Sequence, residues 1–172
     1  LLRALEMNEV LRARAQASQV FALLTGRDSV SLPADAYLTA DGARLHREGG
    51  RTVVSAEAVP AEVAYALAIV KAGDYLLRAR IAGPAGSPVT AEILPVSSGG
   101  TGAVVTFASP TKLDWVYGGA SHLDPGAYQA QFLLPPGSSL ARIEIAPPCL
   151  SPIEPPGGWR ATGVTTDEDL AV

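Results

Sequence analysis

The chain is poor in several residue types, and each shortage excludes a class of protein. Among its 172 residues there are one cysteine, one asparagine, two lysines and two histidines. The single cysteine, Cys149, has no partner for an internal disulfide bond or for a zinc site built from cysteine thiolates. We therefore expect Cys149 to be either a buried thiol or one half of a disulfide bond to a second chain, which requires an oxidising compartment.

Basic patches and long apolar runs are also missing. The net charge is −4 and no basic run is present, so we predict no nucleic-acid partner. No apolar stretch of about 18 residues occurs, so nothing in the sequence would span a bilayer by itself. Because the sequence opens at Leu1 inside an apolar pattern, we expect an upstream signal peptide or membrane segment. Membrane contact is expected only through that segment, and the protein is predicted to be extracytoplasmic, in a bacterial envelope.

Catalytic groups are scarce as well. Nucleophilic hydrolysis needs a serine or cysteine, a histidine and an orienting acid within reach of one another. We expect His46 on a solvated strand face and His122 in a loop, where its neighbour Ser121 cannot take an attacking geometry. The acids that a glycosidase would need are expected at turns or on solvated faces: Asp74, Glu92, Asp114 and Glu144. The sequence thus predicts no catalytic residue, no metal and no cofactor, and a protein that is not an enzyme.

Turn-forming residues, by contrast, are abundant, with 17 glycines and 14 prolines. Within Tyr75–Ile81 apolar side chains alternate with two arginines, and within Tyr128–Leu134 they alternate with two glutamines. This period of two predicts antiparallel strands with one buried and one solvated face. Residues 28–146 are therefore predicted to form a mostly β domain, an antiparallel β-sandwich or jelly roll. The predicted strands are Val30–Leu32, Ala36–Leu38, Ala43–Arg47, Thr52–Ser55, Val63–Val70, Tyr75–Ile81, Val89–Leu94, Ala103–Ala108, Leu113–Tyr117, Tyr128–Leu134 and Ala141–Ile145.

The two ends differ from this β region. Residues 1–25 lack proline and glycine and carry broad apolar stripes, which predicts a long N-terminal α-helix, within a segment 1–27, that Gly26 ends as a left-handed cap. Residues 147–172 are predicted to form a Pro-rich C-terminal arm that leads into the start of a second helix. Both exceed what a lone sandwich needs, so we expect them to contact other chains. The predicted contact residues are Met7, Leu11, Phe21, Ile153 and Trp159.

Three segments carry a resemblance to a known family. They are Ala34–Tyr37, the Ala-Gly-Asp-Tyr start of Ala72–Ala82, and the turn Leu123–Gly126 before two closing strands. On these segments, residues 30–146 resemble the jelly-roll carbohydrate-binding modules of the galactose-binding-like type. The resemblance implies architecture more than activity.

The resemblance also implies two kinds of site. Sugar-binding members of that family often present aromatic residues and an asparagine on loops at one edge, whereas the only asparagine here is Asn8. A structural calcium ion in such modules is commonly held by acidic residues on the first and last strands. Asp35 and Glu144 match those places only roughly, and no metal is predicted.

One pair of aromatic residues leaves the function open between two hypotheses. Trp115 and Tyr117 alternate on one strand, so both rings point the same way. They either pack on the core or, with Asp114, form a stacking platform for sugar or a docking patch for protein. We predict first a non-catalytic structural or accessory subunit of an extracytoplasmic or membrane-associated assembly, which binds other protein subunits. The alternative is a carbohydrate-binding module displayed on the cell envelope, which binds polysaccharide.

Overall fold

The computed structural model describes residues 22–26, 29–97 and 102–147. These residues form twelve β-strands and no helix, so no membrane-spanning helix occurs among them. The strands are β1 (Ala22–Leu24), β2 (Val30–Pro33), β3 (Thr39–Asp41), β4 (Ala43–Glu48), β5 (Arg51–Ala56), β6 (Ala61–Ile69), β7 (Gly73–Ala82), β8 (Pro88–Pro95), β9 (Ala103–Ala108), β10 (Asp114–Leu123), β11 (Gly126–Leu134) and β12 (Ser139–Ala146).

The strands are arranged in two six-stranded sheets. The first sheet has the order β1-β6-β11-β8-β9, with β3 also paired to β6. The second sheet has the order β10-β7-β12-β5-β4, with β2 also paired to β12. Most neighbours are distant in sequence, as expected where the chain crosses between the layers of a sandwich.

The core lies between the two sheets, because the predicted alternation turns every second side chain inward. On β7 the buried residues are Tyr75, Leu77, Ala79 and Ile81, and on β11 they are Tyr128, Ala130, Phe132 and Leu134. The ring of Phe132 stacks on Phe107 from β9, with centroids 6.1 Å apart, and meets the edge of Tyr65 from β6 at 5.8 Å. Full burial of each such side chain contributes about 1.5–3 kcal/mol of hydrophobic stabilisation.

The predicted helix over residues 1–25 is wrong where the structure can be compared with it. Ala22–Leu24 is a strand that pairs in parallel with β6, and the carbonyl of Leu24 accepts a hydrogen bond of 2.9 Å from the Val70 amide. The Leu24 side chain is fully buried in the core. Helix propensity is a weak preference that tertiary packing overrides here. Gly26 does have a positive φ, of 75°, but it follows a strand. The rest of the helix prediction and the C-terminal arm beyond residue 147 lie outside the described residues.

The strand predictions are close for most of the domain, with two corrections. The parallel pairing of β1 with β6 departs from the all-antiparallel expectation. The strand predicted at Ala36–Leu38 instead begins at Thr39 and pairs with β6. The backbone N–H of Ala36 bonds to the Pro33 carbonyl at 3.1 Å, which places Ala36 in a turn rather than in a sheet ladder.

Tyr65 links the core to a loop and gives the fold a dependence on alkaline pH. Its hydroxyl donates a hydrogen bond of 2.8 Å to the carbonyl of Ala34. Burial, with smaller contributions from Asp35 and Tyr37, raises the pKa of Tyr65 far above its ordinary value of 10.0. The stability that Tyr65 contributes is therefore fully present below pH 10 and is lost as the pH rises further, because the unfolded chain releases this proton first.

We expect Tyr65→Phe to lower the free energy of unfolding by about 1 kcal/mol at pH 8, because it removes a buried hydrogen bond. Above pH 10 the native protein should lose up to about 1.4 kcal/mol per pH unit through Tyr65, a loss that the variant avoids. Urea unfolding of both proteins from pH 8 to pH 11 measures this. The stability difference should shrink and then change sign. A difference that stays constant across this range would contradict the assignment.

Candidate functional site

The register of three strands places the predicted aromatic pair on an exposed sheet face. On β10, Trp115 lies opposite Arg80 of β7, and Tyr117 lies opposite Arg78. On the far side of β7, Arg80 lies opposite Arg142 of β12, and Arg78 lies opposite Glu144. Paired residues share a sheet face, so the side chains form two rows across the solvent side of the second sheet. We call this surface, formed by Trp115, Tyr117, Arg78, Arg80, Arg142 and Glu144, the Trp115 face.

Arg78 is the centre of this surface. Its guanidinium carbon lies 4.6 Å from the centroid of the Trp115 ring and 5.9 Å from that of Tyr117. On its other side, Nη2 donates hydrogen bonds of 2.7 Å to both carboxylate oxygens of Glu144. A guanidinium within about 6 Å of a ring centroid is attracted by the negative face of the ring. The arginine thereby fixes both rings against the sheet.

The hydrogen bonds of Arg78 stabilise the protonated form of its guanidinium. The hydrogen bond to Glu144, and more weakly the one from Arg78 Nη1 to the Tyr117 hydroxyl at 3.4 Å, raise the pKa of the guanidinium above its ordinary value. Partial desolvation acts in the opposite direction but is the smaller effect. Arg78 therefore stays a cation, and its pairing with Glu144 leaves that carboxylate bound within the face.

The two rings differ in exposure. Tyr117 is 61% exposed, whereas Trp115 is half-buried. At the start of β10 the carboxylate of Asp114 accepts a hydrogen bond of 2.7 Å from the Trp115 amide, so Asp114 orients the backbone that carries the ring. The three residues that the sequence singled out are thus adjacent, and Asp114 serves as a backbone anchor.

Gly118, the residue after Tyr117, allows β10 to lie close to the core. A Cβ added at Gly118 would lie 2.2 Å from the Val105 side chain and 2.5 Å from that of Phe107. The pairing of β10 with β7 shifts register between Tyr117 and Gly119, and Gly119 has a φ of 116°. The strand predicted to end at Tyr117 therefore continues to Leu123, because glycine lets it approach the core and bulge without breaking the ladder.

Both histidines lie on strands of the second sheet. His122, predicted in a loop, instead lies on β10, with Nδ1 at 2.7 Å from Asp74 Oδ1 and Nε2 at 3.7 Å from Asp124 Oδ1. His46 lies part-exposed on β4 as predicted, with Nδ1 at 3.3 Å from the Ser55 hydroxyl. Within the described ranges no group of three His, Cys, Asp or Glu side chains is placed to hold a metal ion.

A depression of about 500 Å³ lies at the other edge of the same sheet. It is lined by residues of β4, β5, the start of β12 and the adjoining loops, among them His46 and Ser55. Four of its polar side chains pair with one another, Arg44 with Glu57 at 2.8 Å and His46 with Ser55 at 3.3 Å. By register these side chains share the solvent side of the sheet with the Trp115 face.

Two residues of the Trp115 face were not assigned to it from the sequence, and several predicted site residues cannot be placed. Arg78 and Glu144 are 66 positions apart, and only the pairing of β7 with β12 brings them together. On both segments charged residues alternate with apolar ones, which indicates the exposed side of each strand. The alternation does not give the register in which the two strands pair. The predicted protein-contact residues and the cysteine lie outside the described residues: Met7, Leu11, Phe21, Cys149, Ile153 and Trp159.

Comparisons with known proteins identify the fold. No protein-family model matches the chain, and no curated protein matches it significantly. Among solved structures, the C-terminal CBM6 of the laminarinase LamC from Zobellia galactanivorans aligns with a TM-score of 0.58 and 18% identity, over 69% of this chain and 99% of that one. A β-1,3-glucan-binding CBM6 from Bacillus halodurans aligns with a TM-score of 0.55 and 15% identity, over 74% and 99%.

The same architecture occurs in a protein of another kind. A Cry1Da tryptic core variant from Bacillus thuringiensis aligns with a TM-score of 0.59 and 14% identity, over 74% of this chain and 25% of that one. The chain therefore has the jelly-roll β-sandwich fold of carbohydrate-binding modules, and the resemblance found in the sequence is confirmed. Because one fold hosts several functions, the function must be argued from the site.

Proposed function

We propose that this protein is a non-catalytic carbohydrate-binding module that holds a polysaccharide on the Trp115 face. The observation that carries the proposal is the pair of aromatic rings on β10, one of them 61% exposed, both contacted by the guanidinium of a single arginine. Although Arg78 lies over both rings, Tyr117 is exposed and Trp115 is only half-buried, so part of each ring remains in contact with water. Such surface on a soluble domain is typical of a binding site.

The chemistry of the face suits a sugar. A pyranose ring presents weakly polarised C–H bonds on its faces and hydroxyl groups at its rim. The C–H bonds pack on the negative face of an aromatic ring. The hydroxyls need charged or polar partners beside that ring. Arg80 and Arg142 supply donors beside Trp115, and the carboxylate of Glu144 supplies an acceptor beside Arg78.

The shape of the sheet favours a chain of sugars over a single one. The aromatic rings lie on β10 and the polar depression lies at β5 and β4, at opposite ends of the five-strand order β10-β7-β12-β5-β4. At about 4.8 Å between neighbouring strands, the solvent side spans roughly 19 Å. That length accommodates several consecutive sugar rings. The proposed ligand is therefore a segment of a polysaccharide, which also agrees with the predicted extracytoplasmic location.

The other hypothesis, a structural subunit that contacts neighbouring chains, stays a prediction. Its proposed contacts fall on residues 1–25 and 147–160, nearly all of which lie outside the described residues. The Trp115 face lies fully within them and gives the carbohydrate hypothesis its specific support. A polysaccharide-binding module can still belong to a larger assembly, so the two hypotheses differ in what the β-sandwich itself contacts.

Affinity gel electrophoresis tests the proposal. The full chain is run through native gels that contain laminarin, a mixed-linkage β-glucan, xylan, a mannan, pectin, alginate or a carrageenan, with a non-binding protein of similar charge as the mobility reference. We expect at least one polysaccharide to retard the full chain relative to this reference. Unchanged mobility in every gel, together with no heat signal in calorimetry against the same polymers, would contradict the proposed function.

A further inference from the structure

We infer that Arg80 and Arg142 form an anion subsite, so that the polysaccharide held on the Trp115 face is an acidic one. The inference rests on the proposed function and specifies the substrate class. The recognised group is an oxyanion carried by a sugar ring. Carboxylate groups of uronic acids and sulfate esters both supply that chemistry.

The first observation is a pair of like charges placed side by side. Arg80 and Arg142 lie directly opposite each other across β7 and β12. Like charges in that position repel, and such pairs destabilise a sheet. The Trp115–Arg80–Arg142 row contains no carboxylate, and the overall chain is acidic, with a net charge of −4. The one glutamate in the neighbouring row, Glu144, is already bound by Arg78 through both oxygens.

The second observation is that the two arginines are left short of partners among the described residues. The Nε of Arg80 is buried and has no hydrogen-bond acceptor. Arg142 is exposed, and its Nη1 makes a bond of 3.2 Å to a neutral group, the Ser31 hydroxyl. An unpaired buried donor costs stability. Because this Nε is out of contact with solvent, an incoming oxyanion would bind the outer N–H groups of the two guanidinium groups.

The positions of Trp115 and Arg80 also indicate which part of the sugar ring would carry the oxyanion. Guanidinium groups bind carboxylate and sulfate through two parallel N–H···O bonds, which are stronger than bonds between neutral groups. Because Trp115 lies in the same row as the arginine pair, a sugar ring stacked on the indole would direct a ring substituent toward Arg80. Neutral glucans stack equally well on the rings, but their hydroxyls offer the two guanidinium groups only uncharged acceptors. The face should therefore prefer an acidic chain.

Isothermal titration calorimetry on the full chain tests the inference with four ligands: laminarin as the neutral glucan, polygalacturonate and alginate as uronates, and carrageenan as the sulfate ester. We expect at least one acidic polymer to bind at least tenfold more tightly than laminarin in 0.15 M salt. The Arg142→Gln variant should lose about tenfold in affinity for that polymer and show a weaker salt dependence. Its affinity for any neutral glucan that binds should fall less than its affinity for the acidic polymer, because a bond to a hydroxyl lacks the attraction between opposite charges. Comparison of the two uronates with the sulfate ester identifies which oxyanion is recognised.

The matched control is Arg47→Gln, which removes the same charge from an exposed strand position on the opposite side of β4. It should leave the affinity unchanged. Equal losses in Arg142→Gln and Arg47→Gln would show diffuse charge attraction and overturn the inference. Binding of neutral glucan as tight as that of the acidic polymers would overturn it while the proposed function stands. Binding of no polymer at all would overturn both.

Discussion

Replacing Trp115 by alanine is expected to abolish polysaccharide retention. Buried aromatic anchors in binding sites cost 2 kcal/mol or more when truncated to alanine, which is at least about a 30-fold loss of affinity. Trp115 loses its stacking surface and its contact with Arg78 at once. Tyr117→Ala should weaken binding to a smaller degree, because the tyrosine ring is smaller and more exposed. Affinity electrophoresis and calorimetry with the polymer that binds the native chain measure both effects.

Leu94→Ala provides the matched control for this experiment. Leu94 is a part-exposed apolar residue, 41% exposed, on the solvent side of β8 in the other sheet. Its truncation removes apolar surface of similar accessibility and should leave retention unchanged. Thermal unfolding of each variant verifies that the sandwich remains intact. Full retention by a folded Trp115→Ala protein would contradict the proposed site, as would an equal loss in Leu94→Ala.

The largest loss of stability is expected from Phe132→Ala. Phe132 is fully buried at the centre of the sandwich, between the rings of Tyr65 and Phe107. Removing a core phenylalanine costs about 3–5 kcal/mol, from the lost transfer free energy and the cavity left behind. For a chain of this size the midpoint of thermal unfolding should fall by about 10 °C. Calorimetry and urea unfolding at pH 7 measure the change.

The neighbouring residue gives a control on the same strand. Leu133 follows Phe132 but faces the opposite side of the sheet and is 37% exposed. Leu133→Ala should cost less than about 1 kcal/mol, because its side chain is only partly removed from water in the native state. Similar losses for the two variants would contradict the assignment of β11 sides on which the two-layer core depends.

The β-sandwich could be predicted from the sequence because the alternation of apolar and polar residues that indicates it lies within single strands. Alternation with a period of two on β7 and β11 assigns the buried and exposed sides without knowledge of the strand partners, and the sides of Phe132 and Arg78 follow from it. The same local rule placed Trp115 and Tyr117 on one side of one strand. Where the pattern is short, it failed: Ala22–Leu24 is too brief to show a period, and its alanine and leucine favour helix by propensity alone.

The arrangement of the charged residues on the Trp115 face could not be predicted in the same way, because it depends on long-range register. Nothing in the sequence states that Glu144 faces Arg78 or that Arg142 faces Arg80, and a slip of one residue would turn these side chains into the core. The two consecutive glycines after Tyr117 also hide the true length of β10. They indicate a turn, whereas in the structure Gly118 passes close to the core and Gly119 allows a bulge. The sequence therefore identified the rings but not the charged residues that hold them.

The most direct measurement is a titration of the ¹⁵N-labelled full chain with the retained polysaccharide, shortened to a soluble oligosaccharide, followed by NMR. A Trp159→Phe spectrum assigns the two indole N–H signals. If the Trp115 face is the binding site, the Trp115 indole and the backbone amides of β10, β7 and β12 shift together, with one dissociation constant. Shifts confined to the amides of the first sheet, or to the depression at His46 and Ser55, with the Trp115 indole unmoved, would contradict the account.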